Sequence, residues 1–135
     1  MQPYERFEAW QRSHALTLAV FNATDAWPRT ERYGLTAQVR RCAFSVTVNL
    51  VEGSAKRGRA EFRRFLDIAL GSMAELAYTL RLARDLGLMD HDAWRALEAE
   101  RVIAARMLWG LYRSLRGPSQ RANTPSDLPP VRSSA

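Results

Sequence analysis

The sequence predicts an all-α protein, an antiparallel up-down-up-down four-helix bundle formed by a single domain. Apolar residues recur at steps of three and four along four segments, which places them on one face of a helix each time. Glycine and proline are scarce before residue 117, and turn signals at strand spacing are missing. A chain of 135 residues is long enough to bury a sizeable core.

Two helices in the centre of the chain organise the rest. They are predicted over Leu35 to Ser54 and Arg59 to Leu86, joined by a basic link. The first apolar stripe comprises Leu35, Val39, Cys42, Ala43, Val46, Leu50 and Gly53. The second comprises Phe62, Phe65, Leu66, Ala69, Met73, Leu76, Ala77, Leu80 and Ala83.

The first of the two outer helices is predicted to start near Glu8. It ends before Pro28, because the residue before a proline is disfavoured in the α region. Its expected inward face comprises Trp10, His14, Thr17, Val20, Phe21, Thr24 and Trp27.

The last helix follows Gly87, a C′ residue, and Asp90, an N-cap. Its apolar surface is broader than a monomeric bundle needs, which predicts a subunit interface there. The residues that broaden it are Trp94, Val102, Met107, Trp109 and Tyr112. The bundle is predicted over residues 1–116, and the Pro/Ser-rich residues 117–135 are predicted to be a disordered tail.

Polar residues interrupt the apolar faces of the two central helices. They predict a structural polar network of Gln38, Asn49, Glu52, Ser72 and Glu75. A buried carboxylate needs a partner, so Glu52 and Glu75 are expected to be paired within the bundle or across a subunit contact. The alternative is that both carboxylates lie hydrated at the bundle edge. Gly71, in mid-helix, predicts the close approach of another helix.

The net charge of +6 is concentrated between Arg29 and Arg64, a segment that contains nine cations and three anions. Cations neutralise phosphates and release counterions, so seven of them are candidate nucleic-acid-binding residues. These are Arg40, Arg41, Lys56, Arg57, Arg59, Arg63 and Arg64. A solvated basic hairpin is the alternative interpretation. Because Phe62 and Phe65 are expected in the core, backbone and shape contacts are favoured over base stacking.

Enzyme and metal sites find little support in the sequence. The Glu-x-x-His pairs of di-metal bundles are missing, since Gln11 precedes His14 at that spacing and Leu88 precedes His91. Walker-type loops, zinc spacings and a Ser-His-Asp context are also missing, so neither catalysis nor a cofactor is expected. Cys42 lies on the apolar stripe and is expected to be a small buried hydrophobe rather than a reactive thiol.

A membrane protein is not expected either. The longest run without a charged residue, Ser13 to Thr24, is shorter than the ~20 residues that a membrane helix needs. The opening of the chain lacks the pattern of a secretion signal. We therefore expect a soluble cytoplasmic protein.

Three blocks resemble, in order and spacing, a bacterial family known as four helix bundle proteins. They are Arg32 to Arg41, Ser45 to Ser54, and a third-helix block of Glu61-Phe62, Arg64-Phe65-Leu66, Ala69, Gly71-Ser72 and Glu75-Leu76. The family includes proteins encoded within intervening sequences of large-subunit ribosomal RNA genes. It is related to the accessory variability protein of diversity-generating retroelements. The resemblance covers about residues 7 to 116, and Thr47 stands where the family usually has proline.

The resemblance implies a homopentameric barrel of bundles with a basic surface that binds nucleic acid. For the retroelement relatives it also implies association with a reverse transcriptase. We therefore expect a non-enzymatic oligomeric accessory protein that binds the backbone of RNA or DNA. The alternative is an adaptor whose basic face docks a reverse transcriptase or another protein partner.

Overall fold

The computed structural model describes residues 1–116, which form four α-helices. They are α1 (Glu8–Thr24), α2 (Leu35–Ser54), α3 (Arg59–Asp85) and α4 (His91–Ser114). Short 3-10 helices at Pro3–Arg6 and Arg29–Glu31 precede α1 and α2. No strand occurs in these residues. The predicted tail, residues 117–135, lies outside the described part of the chain.

Each helix packs mainly on two neighbours, α2 on α1 and α3, and α4 on α1 and α3. This is the arrangement of an antiparallel four-helix bundle, and it confirms the predicted fold. The assembly of several bundles into a ring stays a prediction. No helix between residues 1 and 116 has the length and apolarity needed to span a membrane.

The helix ends follow the local chemistry of the sequence. Gly58 has a φ of 85° where the α2–α3 link enters α3, and Gly87 has a φ of 80° after α3. Glycine adopts this left-handed region without steric cost. Asp90 caps α4 as predicted, because its Oδ1 accepts a hydrogen bond of 2.8 Å from the backbone N–H of Ala93.

The inward face of α1 differs from the expected one. The buried residues of α1 are Ala9, Ser13, Leu16, Val20 and Thr24, whereas His14 and Phe21 are exposed. The aromatic rings cover polar neighbours instead: Trp10 stacks on His14 with centroids 4.9 Å apart, and Phe21 lies under the Arg40 guanidinium at 4.8 Å. Rings at the edge of a helix pair share the helical spacing of core residues, which explains the error.

Close helix approach occurs at Gly53 rather than at Gly71. A Cβ on Gly53 would meet Phe62 Cδ1 and Phe65 Cβ at 2.9 Å each, so α2 and α3 touch there. A Cβ on Gly71 would meet nothing within 4 Å, and Gly71 is exposed. The expected role of Gly71 is therefore wrong within this chain, because Gly71 points away from the three other helices.

Candidate nucleic-acid interface

One end of the bundle collects parts of the chain that are distant in sequence. Phe7, just before α1, contacts Phe62 near the start of α3 with ring centroids 5.7 Å apart. Arg63 reaches Tyr112 in the last turns of α4. We call this end the basic end. It comprises residues 1–16, the second half of α2, the α2–α3 link, the first half of α3, and the second half of α4 with the two residues that follow it.

Positive charge is concentrated at the basic end. It carries ten cations and five anions, a net charge of +5 among residues 1–116. The cations are Arg6, Arg12, Lys56, Arg57, Arg59, Arg63, Arg64, Arg106, Arg113 and Arg116. The anions are Glu5, Glu8, Glu52, Glu61 and Asp67. The opposite end has eight charges of each sign within the same residues, so it is neutral.

Five of the seven predicted binding residues lie at the basic end. Lys56, Arg57 and Arg59 are exposed on and beside the α2–α3 link, and Arg64 is exposed one turn later. Arg63 is half-buried, and its Nη2 donates a hydrogen bond of 3.0 Å to the Tyr112 hydroxyl. Arg63 also lies 4.7 Å from the Tyr112 ring centroid, so it joins α3 to α4.

The other two predicted binding residues, Arg40 and Arg41, lie in the opposite half of α2. Arg40 Nε donates to Thr24 Oγ1 at 2.8 Å, and Arg40 Nη2 forms an ion pair with Asp25 at 2.9 Å. These contacts hold the end of α1 against α2. Arg41 is exposed and donates to Gln38 Oε1 at 2.8 Å.

The structure adds five arginines that the sequence analysis did not select. They are Arg6, Arg12, Arg106, Arg113 and Arg116, and they join the basic end because α4 ends where α1 begins. Arg6, Arg12 and Arg106 are exposed, Arg113 is half-buried and Arg116 is buried. A signal for them was available: in an antiparallel bundle, alternate helix halves share an end.

Phe65 was expected in the core, but it lies half-buried among cations. Its ring centroid is 5.3 Å from Lys56 Nζ and 4.7 Å from Arg64 Cζ. Distances below about 6 Å give an attractive cation–π interaction. The missing Cβ of Gly53 leaves space for Phe65 beside α2.

Comparison with known proteins assigns the chain to a family. A family model described as 23S rRNA-intervening sequence protein matches residues 5–110. The chain belongs to this family. It is also similar to the crystal structure of a protein of unknown function from the S23 ribosomal protein family of Bacteroides thetaiotaomicron VPI-5482. The TM-score is 0.69 at 17% identity, over 78% of this chain and 98% of that one, which shows a shared fold. A search among curated proteins finds no match.

In this member of the 23S rRNA-intervening sequence protein family, Thr47 connects helices. Its hydroxyl bonds the Thr17 hydroxyl at 2.9 Å and donates to the Ser13 carbonyl at 3.1 Å. The helix α2 runs through this position as one element. The residue that stands in place of the family's proline therefore ties α2 to α1.

Most of the predicted polar network lies between α2 and α3. Glu75 Oε2 accepts hydrogen bonds from Gln38 Nε2 and, at 2.9 Å, from Cys42 Sγ. Burial, followed by the hydrogen bond and the charge of Glu75, raises the pKa of the Cys42 thiol from 9.0 to about 11. Cys42 is therefore a buried neutral thiol at pH 7, in line with its expected role.

The part of the network nearer the C-terminus of α2 contains no partner for Glu52. The hydroxyls of Ser45 and Ser72 bond each other at 2.8 Å, and Asn49 donates to the Ser45 carbonyl at 2.8 Å. Glu52 and Glu75 are both exposed, so the expected burial of these carboxylates is wrong within the isolated chain. Glu75 is nevertheless paired, whereas pairing of Glu52 across a subunit contact stays a prediction. Glu52 lies beyond this network, in the last turn of α2.

The surplus apolar surface lies mainly on other helices than α4. In α4, Trp94 lies under Arg84 at 4.3 Å, and Met107 packs on the core. The exposed fractions are larger for Phe44 of α2, at 57%, and Tyr78 of α3, at 66%. Two arginines of α3, Arg84 and Arg63, cover Trp94 and Tyr112 of α4, so this part of its apolar face is occupied within the chain. The interface on α4 stays a prediction.

The described residues also contain a shallow groove between α1 and α4, of about 270 Å³. Phe7, Ala9, Met107 and Leu111 line it, and its surface is mostly apolar.

Within residues 1–116, no group of three His, Cys, Asp or Glu side chains is placed to hold a metal ion.

Proposed function

We propose that this protein is a non-enzymatic accessory protein that binds the backbone of RNA or DNA through its basic end. The observation that carries the proposal is the net charge of +5 at one end of a bundle whose other end is neutral. Such a field attracts polyanions and gains affinity by counterion release. Membership in a family named for an intervening sequence of ribosomal RNA supports RNA as the polyanion.

The protein acts as a cytoplasmic homo-oligomer in this proposal, with a ring of five copies as the favoured form. The exposed apolar side chains of Phe44, Ile68 and Tyr78 on the neighbouring helices α2 and α3 support self-association, because apolar surface gathered on adjacent elements is typical of protein interfaces. Equivalent basic ends on one side of a ring multiply the phosphate contacts. The combined affinity then exceeds that of a single copy.

Two variants with the same charge change test the proposal. In the first, Lys56, Arg57, Arg59 and Arg64 of the basic end become glutamine. In the second, Arg29, Arg32, Arg41 and Arg95 of the opposite end become glutamine. All eight side chains belong to exposed residues, and both variants lose four positive charges. Binding to a labelled RNA stem-loop is measured across a salt series, with the mass of each protein determined in the same buffers.

The basic-end variant is expected to bind much more weakly and with a shallower salt dependence. Each lost phosphate contact lowers the slope of log K against log salt by roughly 0.7 to 0.9. The opposite-end variant is expected to retain most of the wild-type affinity and slope. Equal losses in both variants would show that only the net charge matters. No binding by the wild type at low salt would refute the proposal and leave protein docking as the role of this surface.

A further inference from the structure

We infer that Phe65 holds Lys56 and Arg64 together as a clamp for a phosphate group of the nucleic-acid backbone. This inference rests on the proposed function and assigns one site within the basic end. Phe65 is a positioning residue here, and the two cations are the groups that contact the phosphate.

The cations come from different elements, and each lies close to the same ring. Lys56 belongs to the α2–α3 link, and Arg64 belongs to α3. Lys56 Nζ and Arg64 Cζ lie 5.3 and 4.7 Å from the Phe65 centroid, so they are at most 10.0 Å apart. Two like charges at this range repel each other, and the negative face of the ring offsets part of that repulsion.

An anion that contacts both cations removes the remaining repulsion. The ring also restricts the side-chain rotamers before binding, so less conformational entropy is lost when a phosphate arrives. Arg64 offers a planar pair of donors that matches two phosphate oxygens, whereas Lys56 supplies a compact charge.

The present partner of Arg64 is easily displaced. Glu61 Oε1 lies 3.3 Å from Arg64 Nε, and both side chains are half exposed. Exposed ion pairs of this kind contribute little stability. A phosphate can therefore replace Glu61 at a small cost.

The position of the ring follows from the helix packing. Phe65 Cβ lies where a Cβ of residue 53 would come within 2.9 Å, so glycine at this position lets the ring lie against α2 beside the link. The same contact places the ring beside the link, where Lys56 follows Gly53 by three residues. Two cations already lie at this ring, so the clamp is expected to contact the phosphate backbone without regard to base sequence.

The test compares Phe65→Leu with Phe21→Leu on two labelled RNA stem-loops of unrelated sequence. Phe21→Leu is the control, since it removes a partly exposed ring that lies 4.8 Å from the Arg40 guanidinium at the neutral end of the bundle. Phe65→Leu is expected to lower affinity about threefold to tenfold on both stem-loops, because the two cations then lose side-chain freedom on binding that the ring had already restricted. The salt slope is expected to stay unchanged, because both cations still reach the phosphate.

A double-mutant comparison separates positioning from a general structural role. Phe65→Leu is also measured in a Lys56→Gln, Arg64→Gln background, where it is expected to have no effect on affinity. An equal loss in both backgrounds, or no loss in the wild-type background, overturns the clamp even though the wild type binds. If the wild type itself does not bind, the proposed function fails first. Phe65→Met replaces Phe65→Leu if circular dichroism shows that the leucine variant is unfolded.

Discussion

Alanine at Gly53 and alanine at Gly71 are the same chemical change in two neighbouring helices, yet we expect opposite effects on stability. The added Cβ at position 53 would lie 2.9 Å from Phe62 Cδ1 and from Phe65 Cβ, and 3.3 Å from the Phe62 carbonyl oxygen. The last two atoms are fixed to the backbone of α3. The two helices must therefore separate by several tenths of an ångström.

The magnitudes follow from overpacking and from helix propensity. Forcing an extra methyl group into a packed contact costs about 1–3 kcal/mol. Alanine in mid-helix is favoured over glycine by roughly 0.8–1 kcal/mol. Gly53 lies in the last turn of α2, where alanine gains only part of this propensity, so Gly53→Ala is expected to lower the free energy of unfolding by about 1–2 kcal/mol. Gly71→Ala gains the propensity alone and is expected to raise it by up to ~1 kcal/mol, because its Cβ enters open space.

Urea unfolding followed by circular dichroism measures both variants, and an unchanged m-value shows that the unfolded state is the same. A neutral or stabilised Gly53→Ala variant would falsify the close contact of α2 and α3. A destabilised Gly71→Ala variant would place Gly71 against a second copy of the chain. In that case the loss would depend on protein concentration, since subunit binding stabilises the folded state by mass action.

Three further predictions concern charge and titration. Glu98→Gln is expected to cost about 3–5 kcal/mol of folding stability in urea unfolding, because it removes the ion-pair partner of Arg101 in a site where the Glu98 and Arg101 side chains are only 15% and 9% exposed. The control is Glu61→Gln, which breaks an exposed ion pair at the same i, i+3 spacing and is expected to cost below ~1 kcal/mol. Glu61→Gln is also expected to strengthen RNA binding severalfold in a titration, since it frees Arg64 and removes a negative charge, and unchanged or weaker binding would contradict this. Burial and Glu75 raise the pKa of Cys42 from 9.0 to about 11, so its contribution to folding stability is full below pH 9 and falls as the pH rises toward 11, because the thiol ionises first in the unfolded chain. The free energy of unfolding is measured against pH for the wild type and for Cys42→Ala, and equal slopes of free energy against pH in the two proteins would refute this.

Local chemistry sufficed to predict where the helices begin and end. Gly87 and Asp90 predict the turn between α3 and α4, and the observed cap at Asp90 agrees with this reading. The buried faces of α2 and α3 were also predictable, since aliphatic residues such as Val39 and Leu66 recur there at helical spacing.

Predictions failed where a side chain serves two roles that share one spacing. Phe21 and Phe65 recur at core positions, but each lies at a helix edge where its ring is partnered by a cation. Likewise, Gly53 in the last turn of α2 and Gly71 in the middle of α3 are both helical glycines, and only the three-dimensional packing shows which one contacts another helix. Periodicity reports the direction of a side chain around its own helix and contains no information about what the neighbouring helix places there.

Counting charges along the sequence places the binding surface wrongly, as the segment from Arg29 to Arg64 shows. Lys56 follows Arg40 by sixteen residues, nearly all of them in α2, so the two cations are separated by roughly 20 Å along the helix axis. This separation exceeds the screening length of about 8 Å at physiological salt, so the charges at the two ends of α2 act on a ligand independently. Arg106 is far from Lys56 in sequence, yet α4 returns it to the same end of the bundle.

The antiparallel order of the four helices, which the sequence already predicts, is enough to assign the cations to the correct end of the bundle. Each cation is assigned to an end according to whether it lies in the first or the second half of its helix, with the direction reversed from one helix to the next. This rule moves Arg40 and Arg41 away from the α2–α3 link and adds Arg6 and Arg106 to it. The excess charge then depends on the fold rather than on one basic segment, so exchanging charges between the two ends should change nucleic-acid binding even when the total stays constant.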